Sequence, residues 1–581
     1  MLCSRDLRGN EIKEIKAETY RNLSSLTNLY LNKNKMDKIQ VGTFDGLSSL
    51  MMIYLDENNI EKIQVGSFDG LTSLKYLNLG DNNLKDIKAG TFRNLSSLER
   101  LFLIKNKIEI IQEGTFDGLS SLMMIALANN VINELEVGSF QHLSSLESLN
   151  LNNNEIKEIK AEAFRNLSSL TNLYLDENNI EKIQVGSFDG LTSLKYLYLS
   201  GNNLKDIKAG TFRNLSGLSS LQLNKNKIDK IQVGTFDDLS STGLINLMDN
   251  DINELEVGSF QNLPSLLFLL LSRNEITKIK AEAFRNLSSL IFLTLNENKI
   301  TKIEAATFRN LPRLALLYLY KNAINELEVG SFQNLPRLTT LHLFNNEIKE
   351  IKAETFYNLS SLTTLRLDEN KIEKIQAGSF KGLISLRSLY LNSNKMDKLQ
   401  VGTFDGLSSL RIMNLNRNRL KEITVGTFRN LSSLTELNLV SNKFEEITVE
   451  TFQNLSSLTT LYLDYNQIEK VDERAFDDMS SLMKLSLRYN NIKEIKEDTF
   501  QNLPFLTTLY LSYNDIKDIK AATFRSQSKL TYLDLRYNKI KEIKTNSFRN
   551  LNKLEYIFLN GNGMEKLQVG SFNGLSSLGY L

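Results

Sequence analysis

An asparagine recurs every 24 residues along this chain, from Asn10 to Asn562, and no step is skipped. A leucine keeps the same spacing from Leu7 to Leu559, and an aromatic residue keeps it from Tyr20 to Phe572. A period of this length indicates one small unit that cannot fold alone and is stabilised by stacking on its neighbours. The sequence therefore predicts a solenoid whose coils stack in register.

The extent of the repeat predicts the domain organisation. We predict a single array of 24 repeats over residues 2–577, followed by the start of a truncated further repeat at residues 578–581. No terminal caps are visible, although solenoids need polar caps to shield their end coils. We therefore expect the chain to be a fragment of a longer protein.

Composition narrows the class of partner. The 69 Lys and Arg residues are balanced by 68 Asp and Glu residues, which gives a formal net charge of +1. This balance argues against nucleic acid, because phosphate binding requires a surplus of basic residues. No apolar run approaches the roughly 18 residues that a membrane span needs. We therefore predict neither a nucleic-acid partner nor a membrane span in this chain.

One repeat, residues 50–73, shows how a coil folds. With Leu50 as position 1, apolar residues occupy positions 1, 4, 6, 11, 14, 19 and 22. Positions 4 to 6 alternate inward and outward, which predicts a short strand. Positions 11 to 22 fit no helix face and predict turns with short 3₁₀ pieces. A crossover of this length allows the strands of successive coils to pair in parallel.

The asparagine at position 9 lies where the chain leaves the strand. A buried amide side chain supplies both a donor and an acceptor to backbone groups that have lost their partners there. All four prolines fall at position 23, just before the strand, where no ladder donor is required. They are Pro264, Pro312, Pro336 and Pro504. Arg5, Thr242 and Gln527 replace apolar residues, and we expect Thr242 and Gln527 to weaken their coils.

The pattern LxxLxLxxNxIxxIxxxxFxxLxx resembles the typical 24-residue class of leucine-rich repeat. It is similar to the arrays of Toll-like receptors, Slit proteins, glycoprotein-hormone-type receptors and small extracellular proteoglycans. The resemblance implies an α/β leucine-rich-repeat solenoid, a curved horseshoe with parallel strands on its concave face and little helix. It also implies a binding protein that is extracellular or at the cell surface. Such relatives usually carry cysteine-rich caps, which this sequence lacks.

We therefore predict a non-enzymatic protein-binding module, the ligand-recognition region of a secreted or cell-surface receptor-like protein. The alternative is an intracellular scaffold, or the repeat region of an enzyme whose catalytic domain is missing. Two histidines, His142 and His342, and the single Cys3 are too far apart in sequence for a catalytic triad or a zinc site. No cofactor or metal is predicted. The acidic pairs Asp56–Glu57, Asp176–Glu177 and Asp368–Glu369 are interpreted as solvated charge rather than calcium ligands.

Outward positions of the strands should determine the partner, which we predict to be a protein on the concave face. Repeats 12 to 15 place unusually apolar residues there and define a central patch. The central patch comprises Leu267, Phe268, Leu270, Ile291, Phe292, Leu316, Tyr318, Tyr320, His342 and Phe344. The alternative to a contact surface is that neighbouring strands partly cover these residues.

A second candidate contact surface is a tyrosine column at position 8 of four successive repeats, Tyr465, Tyr489, Tyr513 and Tyr537. Tyrosine is enriched at interfaces, although stacking between coils would account for the column equally well.

Asn-Leu-Ser sequons at position 21 are candidate glycosylation sites if the chain is secreted. They begin at Asn22, Asn94, Asn166, Asn214, Asn286, Asn358, Asn430 and Asn454. The same tripeptide is also part of the repeat sequence, so duplication of the repeat alone would produce these sequons.

Overall fold

The computed structural model describes residues 4–521 and 523–581. Leu2, the predicted first residue of the array, and Cys3 lie outside the described residues. The chain divides into two compact units, Met1–Leu293 and Thr294–Leu581, and the prediction of one uninterrupted array remains a prediction. Regular structure in the described residues consists of strands and turns. No helix there is long and apolar enough to cross a bilayer.

Each repeat contributes one three-residue strand. In the first unit these strands are Ser4–Asp6, Asn28–Tyr30, Met52–Tyr54, Tyr76–Asn78, Arg100–Phe102, Met124–Ala126, Ser148–Asn150, Asn172–Tyr174, Tyr196–Tyr198, Ser220–Gln222, Leu244–Asn246 and Phe268–Leu270. The strand Phe292–Thr294 contains the point at which the units divide. In the second unit they are Leu316–Tyr318, Thr340–His342, Thr364–Arg366, Ser388–Tyr390, Ile412–Asn414, Glu436–Asn438, Thr460–Tyr462, Lys484–Ser486, Thr508–Tyr510, Tyr532–Asp534 and Tyr556–Phe558.

Within each unit these strands pair in parallel and join residues 24 apart in sequence. Ile53 pairs with Leu77, for example, and Leu341 pairs with Leu365. Every outward side chain therefore lies beside the residue at the same position of the next repeat. The strands cover positions 3 to 5 rather than 4 to 6, and the backbone turns at position 8, where φ is positive.

Many repeats also form a two-residue strand on the return path, a feature that the sequence analysis did not predict. In the first unit these strands are Lys38–Ile39, Lys62–Ile63, Ile110–Ile111, Glu134–Leu135, Glu158–Ile159, Lys182–Ile183, Glu254–Leu255 and Lys278–Ile279. In the second unit they are Lys302–Ile303, Glu326–Leu327, Glu350–Ile351, Lys374–Ile375, Glu446–Ile447 and Lys470–Val471. The return path otherwise consists of turns closed by i+3 hydrogen bonds, as between Ser67 N and Gln64 O (3.0 Å). These bonds have the 3₁₀ pattern but close single turns.

The core lies between the strands and the return path, and it contains the predicted apolar positions. Leu50, Ile53, Leu55 and Ile60 are all 0% exposed. The phenylalanines of position 19 stack along each unit, as in the pair Phe44 and Phe68, whose ring centroids are 5.8 Å apart. Each fully buried side chain of this size contributes about 1.5–3 kcal/mol through the hydrophobic effect.

The asparagines of position 9 form a buried ladder in which each amide joins two coils. The Oδ1 atom of Asn58 accepts a hydrogen bond from the backbone N–H of Met36 in the preceding repeat (3.1 Å). Its Nδ2 donates to the carbonyl oxygens of Leu31 (3.0 Å) and Leu55 (3.1 Å). The prediction that this side chain satisfies backbone groups where the strand ends is confirmed.

The irregular repeats differ in how well they satisfy their buried polar groups. Thr242 is fully buried, and its hydroxyl donates to the carbonyl oxygen of Leu218 (2.9 Å). The substitution therefore costs this coil little stability. Gln527 donates to the carbonyl oxygen of Phe500 (2.5 Å), but its Oε1 has no hydrogen-bond partner among the described residues. Arg5 is exposed in the first strand. The expected weakening therefore applies better to Gln527 than to Thr242.

Candidate functional site

The surface formed by positions 3, 5, 7 and 8 of the repeats is here called the strand face. Its side chains alternate with core residues, so Met52 and Tyr54 are half-buried while Ile53 between them is fully buried. The parallel register fixes which side chains are neighbours, and the core residues hold the backbone in place. A partner would therefore meet an ordered surface.

The first unit carries an aromatic cluster that the sequence analysis missed. The rings of Tyr30 and Tyr54 stack with centroids 4.9 Å apart. Tyr76 continues the row at 4.9 Å from Tyr54, and Phe102 continues it at 5.1 Å from Tyr76. Aromatics at positions 3 and 5 of successive repeats were the available signal, because that spacing places their rings side by side.

Five residues of the central patch belong to the first unit. Phe268 is 37% exposed, while Leu267, Leu270, Ile291 and Phe292 are half-buried. The carbonyl oxygen of Leu267 accepts hydrogen bonds from the N–H groups of Ile291 (2.9 Å) and Phe292 (3.1 Å), which places these residues side by side. Partial coverage and a contact role are both compatible with this exposure.

The other five belong to the second unit, where four of them form paired ring stacks. Tyr318 stacks on His342 with centroids 4.6 Å apart, and Tyr320 stacks on Phe344 at 4.4 Å. Leu316, like these rings, is half-buried. Desolvation, helped by the positive charge of Arg366, lowers the pKa of His342 to about 4. At neutral pH the imidazole is therefore uncharged and belongs to the aromatic cluster.

Arg366 lies beside this cluster and is held by Asp368. Its Nε and NH2 groups donate to the two carboxylate oxygens at 3.0 and 2.7 Å. The guanidinium carbon lies 4.2 Å from the ring centroid of Phe344, a cation–π contact. Asp368 is only 1% exposed, so the prediction that it is solvated charge is wrong. The opposite charges at positions 5 and 7 were the available signal in the sequence, but they did not show that Arg366 would fold back over this carboxylate.

The other acidic pairs are also less solvated than predicted at their first residue. Burial raises the pKa of Asp56 and of Asp176, whereas Glu57 is exposed. Asp176 accepts a hydrogen bond from the N–H of Ser200 (2.8 Å). In the part of the chain that the structure describes, no three His, Cys, Asp or Glu side chains are placed to hold a metal ion together. Asp176 thus bonds the backbone of the next repeat, whereas Oδ1 of Asp56 is buried without a hydrogen-bond partner among the described residues.

The tyrosine column is a stack of nearly parallel rings. Successive centroids lie 4.3, 4.2 and 4.5 Å apart, with interplanar angles of 8°, 9° and 17°. The four rings remain between 37% and 55% exposed. Desolvation and the neighbouring Tyr489 hydroxyl raise the pKa of the Tyr513 phenol. The stacking that the sequence suggested is therefore present, and it leaves much of each ring available to a partner.

The backbone beneath the tyrosine column is unfavourable for bulky residues. Tyr465, Tyr489, Tyr513 and Tyr537 have φ values of 55°, 54°, 58° and 51°. The left-handed region costs a non-glycine residue roughly 1–2 kcal/mol. Backbone preference therefore does not explain four tyrosines in succession at this position.

Next to the tyrosine column lies a cluster of charged groups that the sequence analysis did not single out. Asp534 is fully buried and accepts two hydrogen bonds from the Arg536 side chain, both of 2.9 Å, and one from the Arg536 backbone N–H, of 3.2 Å. Ser512 donates a fourth, of 3.0 Å. Burial raises the pKa of Asp534, but the hydrogen bonds from Arg536 and Ser512 outweigh burial and hold it below its ordinary value. Opposite charges two residues apart at positions 5 and 7 were the available signal.

The eight sequon asparagines are all exposed and lie on the return path, away from the strand face. Six of them have positive φ, which lies between 63° and 68° in Asn166, Asn214, Asn286, Asn358, Asn430 and Asn454. Glycine and asparagine tolerate this conformation best. The recurring asparagine therefore has a backbone reason that is independent of glycosylation, which stays a prediction.

Comparison with protein families decides the classification. The family model described as Leucine rich repeat matches in overlapping segments that together run from residue 6 to residue 564. The chain belongs to the leucine-rich repeat family. The resemblance that the repeat pattern suggested is confirmed, and the asparagine ladder and parallel strands are those of a leucine-rich repeat solenoid.

Solved structures with the same fold include several receptors. The TLR13–ssRNA13 complex has a TM-score of 0.54 and 25% identity, covering 95% of this chain and 91% of that chain. The plant peptide hormone receptor RGFR1 in complex with RGF2 has a TM-score of 0.57 and 22% identity, covering 100% and 91%. The Drosophila Toll–Spatzle complex has a TM-score of 0.60 and 20% identity, covering 94% and 76%. None of the curated proteins compared with the chain matches it in sequence.

Proposed function

We propose that this leucine-rich repeat chain is the ligand-recognition region of a secreted or cell-surface receptor-like protein, without enzymatic activity. Its ligand is a peptide or protein that lies along the strand face. The observation that carries the proposal is the set of ordered, half-exposed aromatic clusters on that face, including the tyrosine column. Aromatic side chains offer large contact areas at low cost in conformational entropy, which suits them to partner recognition.

The similar receptors support this proposal through the ligands in their complexes. RGFR1 is bound to RGF2 and Toll to Spatzle, whereas TLR13 is bound to ssRNA13. The charge of this chain favours a peptide or protein over RNA, because its basic and acidic residues balance. Single-stranded RNA therefore serves as a competitor in the test below.

The test is selection of a random-peptide phage library on the immobilised chain, followed by affinity measurements with the enriched peptides. Two double variants alter the strand face, Phe268→Asp with Phe292→Asp and Tyr465→Asp with Tyr513→Asp. The control is Val233→Asp with Val257→Asp, since both valines are exposed but lie on the return path. We expect at least one strand-face variant to weaken the enriched peptides by about tenfold or more, as for loss of an interface hot spot.

Circular dichroism verifies that each variant keeps its fold. Absence of any enriched peptide, or equal binding to strand-face and control variants, would overturn the proposal. If single-stranded RNA displaces the peptides, the ligand is RNA rather than a peptide.

The receptor role has its own test, because an intracellular scaffold or a missing catalytic domain is the alternative. The sequence of the full-length transcript separates them. An upstream signal peptide supports the receptor, and a catalytic domain supports the alternative. A mobility shift on deglycosylation of the native protein would independently support passage through the secretory pathway.

A further inference from the structure

Four arginines occupy positions 5 and 7 of the strand face, namely Arg8, Arg366, Arg488 and Arg536. Three of them have an aspartate two residues away in the same repeat, and in each case the two side chains form an ion pair. The NH2 groups of Arg8 and Arg366 lie 2.7 Å from Asp6 and Asp368, and that of Arg536 lies 2.9 Å from Asp534. We call this arrangement an arginine–aspartate clamp.

An arginine in such a clamp has few free N–H donors for a partner's carboxylate. Arg366 and Arg536 each use both Nε and NH2 on their own aspartate. Their guanidinium groups also lie over neighbouring rings, at 4.2 Å from the centroid of Phe344 and 5.0 Å from that of Phe558. The donors that would grip an acid in the bidentate manner are therefore already engaged.

Arg488 lacks such a clamp. The residue two positions before it is Ser486, and its nearest acid is Asp534, 3.5 Å from NH2 and already bonded to Arg536. Its Nε is buried and has no hydrogen-bond acceptor among the described residues. The guanidinium carbon lies 3.7 Å from the ring centroid of Tyr510, which fixes the plane of the group. Arg488 is thus an oriented cation whose side chain is 33% exposed. Because its Nε is buried, a partner would reach it through the two terminal guanidinium nitrogens.

The charges around Arg488 add to its attraction for an anion. Lys484, in the same repeat, lies 5.0 Å from the ring centroid of Tyr462 and 5.6 Å from that of Tyr510. The Oδ1 atom of Asp464, the other nearby acid, accepts hydrogen bonds from the Ser486 hydroxyl (2.5 Å) and the Arg488 N–H (2.7 Å). Repeats 20 to 23 carry three cations and two acids on the strand face, and both acids are bonded inward.

We propose that Arg488 and Lys484 receive a carboxylate from an acidic segment of the partner, while the adjacent tyrosine column contacts the residues beside it. Tyr489 follows Arg488 directly in sequence and is 37% exposed, so an aromatic or aliphatic neighbour of the bound acid would reach it. The inference rests on the proposed function and specifies the chemistry of the partner. A charge-assisted hydrogen bond to an arginine that is already oriented needs little further ordering.

The test uses a fluorescein-labelled hexapeptide of alternating aspartate and phenylalanine, and its counterpart with asparagine for aspartate. Fluorescence anisotropy measures their binding to the whole chain. We expect the aspartate peptide to bind about tenfold more tightly at low salt, and to lose this advantage at high salt. Lys484→Gln and Arg488→Gln should each weaken it about fivefold, the change expected for loss of one charge-assisted contact of about 1 kcal/mol.

Lys493→Gln is the matched control, since Lys493 lies in the same repeat but pairs with Glu469 (2.7 Å) away from the strand face. It should leave binding unchanged. Lys484→Gln tests the inference even if Arg488→Gln disturbs the fold, because it leaves the Asp534–Arg536 pair intact. Equal binding of the two peptides, or equal losses in Lys484→Gln and Lys493→Gln, would overturn the inference. If library peptides nevertheless depend on the strand face, the proposed function stands without it.

Discussion

The asparagine ladder and the tyrosine column are both rows of side chains spaced 24 residues apart, yet they differ in almost every physical respect. The asparagines are mostly buried, and each bonds backbone groups of two coils, as Asn58 does. The tyrosines are exposed and occupy left-handed backbone in four repeats, where other repeats place Lys, Glu, Asp, Asn, Arg, Ser or Gly. Regular spacing therefore marks two separate properties, a requirement of the fold and a local specialisation of the surface.

The largest expected effect lies in the asparagine ladder. Asn394→Leu leaves the N–H of Ile372 without its acceptor at 2.9 Å. It also removes the donor that now lies 3.0 Å from each of the carbonyl oxygens of Leu367 and Leu391, which keep their second donors, Asn370 and Asn418. We expect a loss of about 3 kcal/mol in the free energy of unfolding, because the buried orphan costs about 1–3 kcal/mol and each of the two other lost hydrogen bonds about 0.5–1.5 kcal/mol. Urea unfolding, with hydrogen exchange at Ile372, measures it.

Asn392→Leu is the control for this prediction. Asn392 lies at position 7 of the same repeat and is half-buried on the strand face. It should change the free energy of unfolding by less than about 1 kcal/mol, as for most surface substitutions. Equal losses in the two variants would contradict the distinction between ladder and surface.

An intermediate effect is expected at His342 on the strand face. Because its pKa in the folded chain is about 4 rather than 6.5, the unfolded chain binds the proton more readily between these values. The stabilisation is therefore complete above pH 6.5 and is lost as the pH falls toward 4. With allowance for solvent screening we expect about 2 kcal/mol.

The imidazole pKa can be measured directly by NMR, because the chain contains only two histidines. His342→Gln identifies the signal and should flatten the dependence of stability on pH between 4 and 6.5. His142→Gln is the matched control, since His142 is exposed, 3.8 Å from Asp117. A His342 signal that titrates near pH 6.5 would show that the ring stack leaves the imidazole solvated.

The smallest effect, and the one that sharpens the comparison most, is expected in the tyrosine column. Tyr513→Gly loses two stacked pairs, each worth about 0.5–1.5 kcal/mol, but relieves backbone strain of about 1–2 kcal/mol. We expect its free energy of unfolding to stay within about 1 kcal/mol of the native value. Tyr513→Ala loses the stacking without the relief and should be less stable than Tyr513→Gly by about 1 kcal/mol. A loss in Tyr513→Gly as large as that in Asn394→Leu would class the column as structural.

The fold was predictable from the sequence because its chemistry repeats. A position that holds asparagine in every repeat requires both a donor and an acceptor, and a position that holds leucine requires burial. The two-residue strands were missed because pairs such as Lys62–Ile63 are too short to show alternation. Positive φ was readable at position 21, where most repeats hold glycine or asparagine. It was less readable at position 8, where six repeats hold glycine or asparagine and the others hold residues such as Lys, Glu and Tyr.

The candidate site was only partly predictable, because its clusters depend on how individual side chains fold back. The sequence drew attention to the rings of the tyrosine column and the central patch. It did not show that Asp368 is buried under Arg366, or that Arg488 differs from the other three arginines at positions 5 and 7. That difference arises from one residue. Two positions before Arg488 the chain has Ser486, whereas two positions before Arg536 it has Asp534.

The left-handed turn at position 21 has a consequence for carbohydrate attachment. A Cβ atom added to Gly70 would meet nothing within 4 Å, so Gly70→Asn would create an Asn-Leu-Thr acceptor without a clash between coils, although a φ of 86° strains any side chain. A Cβ atom added to Gly118 would lie 2.1 Å from the carbonyl oxygen of Arg93, so the same exchange there would push two coils apart. The spacing between adjacent turns thus limits where sugars could be added, whatever the identity of the ligand on the opposite side.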